Sequence, residues 1–194
     1  LAGQIDYPKG KAVALGHIGW VYYRKTDFVK ALENSIASMK ISEQIGDKGE
    51  MARSLNSIAA VSYEQKLYDK SISEFKQALT LSYASKDEKA IGRTLNNIAY
   101  LFLQLDEQVD SAEVYGNRAV AYSEKIKDNY LIAFGLRNVG DVLVRKNKLG
   151  EALSKYERAI ELSKATRNNS MIAATYHRVA KVYLLMGRSS DAIA

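Results

Sequence analysis

The 194-residue sequence contains no cysteine and a single proline, Pro8. Without cysteine the chain can form neither a disulfide nor a thiolate metal site. The scarcity of proline suits a chain that is nearly all helical, because proline interrupts helices at interior positions. There is also no run of about eighteen apolar residues, so no segment is predicted to span a membrane.

Recognisable catalytic and cofactor-binding patterns are missing as well. The two histidines, His17 and His177, are so far apart in the sequence that a metal site or a nucleophile–base pair would need distant segments to converge. Gly10-Lys11 lacks the upstream glycine and the following hydroxyl of a phosphate-binding loop. We therefore expect no enzymatic activity, cofactor or metal in this segment, although an attached effector domain could be enzymatic.

The charge pattern does not favour nucleic acid as a partner. The net charge is +6, but the 28 basic and 22 acidic residues are interleaved and form no basic block. No charged-then-apolar signal segment precedes the first helical pattern, and Leu1 is not an initiator methionine, so processing stays open. A cytoplasmic location is slightly favoured, and a periplasmic sensor domain is the alternative.

What the sequence does contain is a self-match with a period of about forty residues. In each copy a β-branched marker is followed by a small residue, and the steps between markers are 40, 40, 41 and 40. A fixed period in this range predicts a stacked array of structural repeats. The five markers are Ile18, Ile58, Ile98, Val139 and Val179.

Each repeat contains two apolar stripes with helical spacing, separated by a short polar turn. In the second repeat one stripe runs from Leu55 to Ser62 and the other from Ile72 to Ser82. Each repeat is therefore predicted to form two antiparallel helices, called A and B here. Small residues recur at matching positions, for example Ala78 and Ala159, which indicates close helix contacts.

The joints between repeats carry helix-capping residues. Gly46 is predicted to end one helix B in the left-handed conformation. Asp47 is predicted to cap the next helix A, with Glu50 completing a capping box. Asp87, Asp128 and Asn168 occupy the equivalent joints. The 41-residue step falls in residues 105–111, where we expect a bulged A–B turn.

These residues resemble the tetratricopeptide repeat. Ile18-Gly19-Trp20-Val21-Tyr22 in helix A, followed by Asp27-Phe28-Val29-Lys30-Ala31-Leu32 in helix B, is a close match. The long period and the absence of a proline closing helix B are similar to the roughly 40-residue variant found in bacterial signalling proteins, Bacteroidetes-type in particular. The resemblance implies an all-α fold, a right-handed superhelix (solenoid) of antiparallel helix pairs.

We expect a single array over residues 1–194, cut at both ends. Residues 1–7 align with the end of a preceding helix B, and residues 189–194 begin a helix B that is incomplete. Open ends of this kind would allow self-association. The repeats are expected at residues 8–46, 47–86, 87–127, 128–167 and 168–194.

The resemblance also implies where a ligand would bind. In the tetratricopeptide pattern the A helices line a concave groove, at positions five before, two before and two after the marker. Such a wall of arginines, asparagines and aromatic rings suits an extended peptide. The expected groove residues are Trp20, Tyr23, Arg53, Asn56, Tyr63, Arg93, Asn96, Tyr100, Arg137, Asp141, His177 and Lys181.

Structural interpretations of the same residues stay open. Asn56 and Asn96 would also suit hydrogen bonds between neighbouring helices, and Arg53 and Arg93 would suit ordinary solvated positions. Trp20 would be covered if another repeat preceded it.

The expected function is a non-catalytic scaffold that binds a protein or peptide, in the sensing or docking region of a bacterial signalling or transcription-regulatory protein. A partner held in the groove would act through a small change in superhelical pitch. One alternative is a quorum-peptide-type receptor domain that switches an attached effector. Another is a purely architectural adaptor that holds partners through its convex face or its array ends.

Overall fold

The computed structural model describes residues 7–105, 108–188 and 191–192. Within these residues the chain forms nine α-helices and no strand, as the repeat pattern predicts. The helices are α1 (Pro8–Arg24), α2 (Phe28–Gln44), α3 (Lys48–Glu64), α4 (Tyr68–Ser85), α5 (Glu88–Leu103), α6 (Val109–Lys125), α7 (Asn129–Arg145), α8 (Leu149–Ala165) and α9 (Asn169–Leu185). The odd-numbered helices are the predicted A helices and the even-numbered ones are the B helices. None of them is long and apolar enough to cross a bilayer.

The predicted caps at the B–A joints are confirmed. Asp47, Asp87, Asp128 and Asn168 each accept, through a side-chain oxygen, the backbone N–H three residues later at 3.0–3.1 Å. Each bond satisfies one of the N–H groups that the first helical turn leaves without a partner. These local bonds explain why every described A helix from α3 onward begins where the sequence predicts.

The capping box at Glu50 is not formed. The Asp47 N–H that Glu50 would need already donates to Ser42 O at 2.9 Å, a bond that closes the preceding helix. The Glu50 carboxylate is buried and instead accepts from Arg53 Nε at 3.0 Å.

Left-handed residues end the B helices, but glycine fills this position at only one of the four joints between the described B and A helices. Gly46 has the expected positive φ of 70°. Lys86, Lys127 and Arg167 take the same conformation, with φ between 52° and 57°. A side chain in this region is strained by about 1–2 kcal/mol. The conformation persists because the next residue donates its N–H to a carbonyl of the preceding helix at every joint.

The chain divides into two compact units, residues 1–94 and residues 95–194, with the boundary inside α5. In unit 1, α1 packs against α2 and α3 against α4 as antiparallel hairpins, and α2 and α1 both contact α3. Ala31, Ala59 and Ala78 are fully buried, so the predicted close-approach positions are confirmed. Larger side chains such as Phe75 are buried in the same unit.

Unit 2 is built on the same plan. α7 packs against α6 and α8, and α8 and α7 both contact α9. Its core contains Leu143, Tyr156 and Val182 in one cluster and Ile132 and Leu136 in another. The helix pairs of both units fall inside the predicted repeat ranges. The expectation of one continuous array over residues 1–194 stays a prediction.

Some predicted features lie wholly or partly outside the described residues. Residues 1–6, expected to end a preceding helix B, are one of them. The bulge expected at residues 105–111 includes residues 106 and 107, which are also outside. The helix expected from residue 189 includes only two described residues, Asp191 and Ala192, and these form a turn.

Candidate functional site

In α3 and α5 the expected position two before the marker is buried, and the position directly before the marker is partly exposed instead. Asn56 is only 9% exposed and Asn96 is fully buried, whereas the next residues, Ser57 and Asn97, are partly exposed. The Asn56 amide donates to Thr94 Oγ1 at 2.7 Å, and the Asn96 amide donates to Leu131 O at 3.1 Å. The assignment of these two asparagines to a binding wall is therefore corrected, since their amides join neighbouring helices.

In unit 1 the expected aromatic residues form an ordered surface at the end of α1. The rings of Trp20 and Tyr23 are stacked with centroids 5.4 Å apart, and Tyr23 also contacts Phe28 at 5.9 Å. The Tyr23 hydroxyl donates to Glu64 Oε1 on α3 at 3.0 Å. Trp20 nevertheless stays 47% exposed. We call the stacked pair Trp20 and Tyr23 the aromatic shelf.

The two arginines expected in unit 1 are in different situations. Arg53 donates to Glu50 and, through Nη1, to Asp87 Oδ2 at 3.1 Å, so its charge is already balanced within the unit. Arg93 is exposed and forms no ion pair or hydrogen bond with any described residue. Tyr63 is partly buried and packs against Tyr68, with ring centroids 6.0 Å apart. Arg93 and the aromatic shelf are thus the expected groups with the most freedom to bind a partner.

In unit 2 a partly buried ion pair joins α7 to α9. Arg178 donates through Nε to both oxygens of Asp141, at 2.8 and 2.9 Å. Tyr156 from α8 donates its hydroxyl to Asp141 Oδ1 at 2.7 Å. Burial, together with the negative charge of Asp141, raises the pKa of Tyr156, so its hydroxyl stays protonated and remains a donor. Asp141 is therefore engaged by two donors of its own unit.

Arg137 lies beside this pair and has no carboxylate of its own. Its guanidinium packs on the Phe134 ring, with the carbon 4.9 Å from the centroid, and Nη1 contacts Met171 Sδ at 3.1 Å. Nε is buried and has no hydrogen-bond partner. Burial lowers the pKa of Arg137, and the neighbouring positive charge of Arg178 lowers it further. Even so, an arginine keeps its charge at neutral pH.

The remaining expected residues of unit 2 form no hydrogen bond with Arg137, Asp141 or Arg178. His177 and Lys181 are exposed on α9, and Tyr100 is partly exposed on α5. Tyr100 is near enough to raise the pKa of Arg137 slightly, against the larger lowering effects of burial and Arg178. Each unit thus brings together part of the expected set. Unit 1 stacks Trp20 on Tyr23, and unit 2 places Arg137 beside Asp141 without an ion pair between them.

Arg178 is a site residue that the sequence reasoning missed. It directly precedes the marker of its repeat, at the same position as Ser57 and Asn97, and this position was not included in the expected wall. A usable signal was present, because Asp141 and Arg178 have opposite charges and lie 37 residues apart. That spacing joins the position two after one marker to the position directly before the next, in the A helices α7 and α9.

The chemistry of these groups is that of recognition. Among the described residues no three histidine or acidic side chains are grouped so that they could hold a metal ion. What the A helices offer is a flat aromatic pair, an unpaired surface arginine and a partly buried guanidinium. Such groups bind rings, apolar side chains and carboxylates.

Comparison with known proteins connects part of the sequence to a family. A tetratricopeptide repeat model matches residues 131–194. No curated protein matches the sequence.

Solved structures with a similar fold cover most of the chain at low identity. A Rap protein complexed with competence and sporulation factor is 19% identical, with a TM-score of 0.79, over 90% of this chain and 49% of its own. Aspartyl phosphate phosphatase F from Bacillus subtilis is 16% identical, with a TM-score of 0.78, over 98% and 59%. The Rap conjugation gene regulator of plasmid pLS20, in complex with the Phr* peptide, is 17% identical, with a TM-score of 0.72, over 91% and 48%.

The chain therefore spans about half of the length of these three proteins. At such low identity the likeness concerns the fold, which is an all-α helical-repeat solenoid. It does not transfer a ligand or an activity.

Proposed function

We propose that this chain, which belongs to the tetratricopeptide-repeat family, is a non-catalytic scaffold that binds a protein or peptide segment within a bacterial signalling or transcription-regulatory protein. The observation that carries the proposal is the aromatic shelf of unit 1. Trp20, the only tryptophan of the chain, is 47% exposed, and its ring is already stacked on Tyr23.

A pre-ordered aromatic pair suits binding for two reasons. Tryptophan and tyrosine bury large areas and are enriched among the residues that dominate binding energies. The Tyr23 hydroxyl is fixed by Glu64 on α3, so little side-chain freedom would be lost when a partner packs on the shelf. Arg93, which is free of ion pairs in the described part of unit 1, supplies a positive charge for an acidic partner.

The test is to select peptides from a phage-displayed random library on the immobilised protein and to measure their affinities by fluorescence anisotropy. We expect Trp20→Ala to weaken the selected peptides by about 10- to 100-fold, because a hot-spot aromatic residue contributes about 2 kcal/mol or more. The matched control is Tyr83→Ala, which removes a 45% exposed ring from helix α4 of the same unit.

Three results would count against the proposal. Equal affinity of the Trp20→Ala variant and the parent would remove the shelf from the binding site. A loss caused by Tyr83→Ala alone would move the binding surface to helix α4 and so favour the architectural adaptor. Failure to select any peptide would contradict peptide recognition as such.

A second candidate is a receptor for a short free peptide that switches an attached effector. It is supported by the likeness in fold to the Rap regulator solved with the Phr* peptide. Shortening the selected peptides separates the two candidates. A free-peptide receptor should keep its affinity with peptides of fewer than about ten residues, whereas a docking scaffold should lose affinity steadily as contacts are removed.

A further inference from the structure

Arg137 is a cation that forms no ion pair with any described acidic side chain of its own unit. Its guanidinium is partly buried between α7 and α9, and its buried Nε has no acceptor. A charge withdrawn from water without a partner costs free energy, and native structures normally pair such groups. The neighbouring groups explain why the pairing fails here.

Asp141 is the acidic side chain that influences Arg137, and its oxygens are already occupied. Oδ1 accepts from the Tyr156 hydroxyl and from Arg178 Nε, and Oδ2 accepts from Arg178 Nε. Turning Asp141 towards Arg137 would leave the Tyr156 hydroxyl, in a side chain that is 1% exposed, without a partner. Two guanidinium groups and one carboxylate leave the cluster with a surplus of one positive charge.

The remaining contacts of Arg137 are apolar or weak acceptors. The Phe134 ring supports one face of the guanidinium, and the Met171 sulfur, a poor acceptor, lies 3.1 Å from Nη1. Nη2 forms no hydrogen bond with any described residue and is not among the buried unpaired atoms. Nη2 of this partly exposed side chain is therefore the donor that a partner can reach, in a setting that strengthens a charged hydrogen bond.

We propose that Arg137 is a subsite for a carboxylate of the bound partner, inserted against Phe134 and Met171 beside the Arg178–Asp141 pair. The proposal rests on the peptide-binding function above and names the chemistry that the peptide must carry. A carboxylate fits better than a phosphate, because the surplus is one charge and the second guanidinium is already held by Asp141. The unpaired guanidinium of Arg137 lowers the stability of unit 2, and an acidic partner would restore it.

The test uses arginine side-chain NMR of the whole chain, because the buried Nε–H of Arg137 is expected to give a visible signal. The signal is assigned by its disappearance in Arg137→Met. The probes are N-acetyl-Leu-Glu-amide with a side-chain carboxylate, N-acetyl-Gln-Leu with a terminal carboxylate, the neutral N-acetyl-Leu-Gln-amide, and inorganic phosphate. Arg158→Gln is the matched control. It removes an equal charge from the same unit, where Arg158 donates to Glu124 at 2.7 Å on the surface.

We expect at least one acidic peptide to shift the Arg137 signal with a Kd about tenfold or more below that of the neutral peptide. The tighter of the two acids identifies the source of the carboxylate. Arg137→Met should abolish the response, Arg137→Lys should weaken it about tenfold because the planar fork is lost, and Arg158→Gln should leave it unchanged. Arg137→Met should also raise the melting temperature by about 2–4 °C, because an unpaired charge is replaced by an apolar side chain.

The subsite is refuted if acidic and neutral peptides shift Arg137 equally, or if phosphate binds more tightly than both acids. It is equally refuted if Arg137→Met lowers the melting temperature, since the guanidinium would then be a structural element. These results are separable from the proposed function. Loss of the Arg137 response with intact shelf-dependent binding rejects the subsite alone, and a response without any selected peptide rejects the peptide-binding function alone.

Discussion

Gly140 is the position where a single added methyl group should disturb the cluster of unit 2. A Cβ atom at this residue would lie 2.3 Å from Cε1 of Tyr156 and within 2.9 Å of two further ring atoms. The ring is 1% exposed and cannot move into solvent without leaving the core. Gly140→Ala should therefore displace Tyr156 and break its hydrogen bond to Asp141.

Three effects decide how much Gly140→Ala changes the free energy of unfolding. Alanine favours the helix over glycine by about 1 kcal/mol. Overpacking against the ring costs about 1–3 kcal/mol, and losing a hydrogen bond to a charged group costs about 1.5–3 kcal/mol. The steric and hydrogen-bond terms are larger, so we expect Gly140→Ala to destabilise the protein by about 2–4 kcal/mol.

The assay is urea denaturation of the single and double variants. In a Tyr156→Ala background the obstructing ring is absent, so Gly140→Ala should become neutral or stabilising by about 1 kcal/mol. This reversal of sign corresponds to a coupling energy of several kcal/mol between the two sites. Gly150→Ala is the matched control, because a Cβ there meets no atom within 4 Å. A Gly140→Ala variant as stable as the parent, or a coupling below about 0.5 kcal/mol, would refute the reasoning.

Two further predictions concern the turns and the caps of unit 1. Thr26 is a β-branched residue at a φ of 60°. Thr26→Gly should raise the free energy of unfolding, measured by thermal denaturation, by about 0.5–1 kcal/mol, and the reciprocal Gly46→Thr should lower it by a similar amount. If both variants were as stable as the parent, these turns would carry no strain. The pKa of the Asp47 carboxyl is lowered, first by the Glu50 N–H and then by Lys9, so its stabilising effect is complete above the unfolded pKa of about 3.9 and is lost as the pH falls through the lower folded value. Urea midpoints of the parent and Asp47→Asn should therefore converge between about pH 5 and pH 2, and a pH-independent difference would contradict this linkage.

The sequence alone was sufficient for the repeat, the helix pairs and the caps. Asp87 and Asn168, for example, act on the N–H three residues later, so their role is local and readable from spacing. The buried alanines were equally predictable, because apolar periodicity reports directly which face of a helix meets its neighbours. Ala78, predicted to be a close-approach position, is fully buried.

Glycine was a poorer guide to the helix ends. Lys86, Lys127 and Arg167 adopt the left-handed conformation that the sequence analysis predicted only for Gly46. The strain of about 1–2 kcal/mol per residue is outweighed by the surrounding structure. At each joint the next N–H bonds to the carbonyl of a buried serine, for example Asp87 to Ser82, and the following helix then packs in place. The joint is thus decided by contacts that lie outside the turn.

Which of the two residues before each marker is buried was decided only by the tertiary structure. One residue turns the helix surface by about 100°, and asparagine suits a buried or an exposed position equally well in a sequence pattern. In α5 the buried residue is Asn96, two before the marker. In α7 the residue directly before the marker, Asn138, is buried and donates to Asn96 O, which leaves Arg137 partly exposed. Packing of α7 against its neighbours therefore determines that Arg137 reaches the surface, and the Arg178–Asp141 pair determines that it does so without an anion.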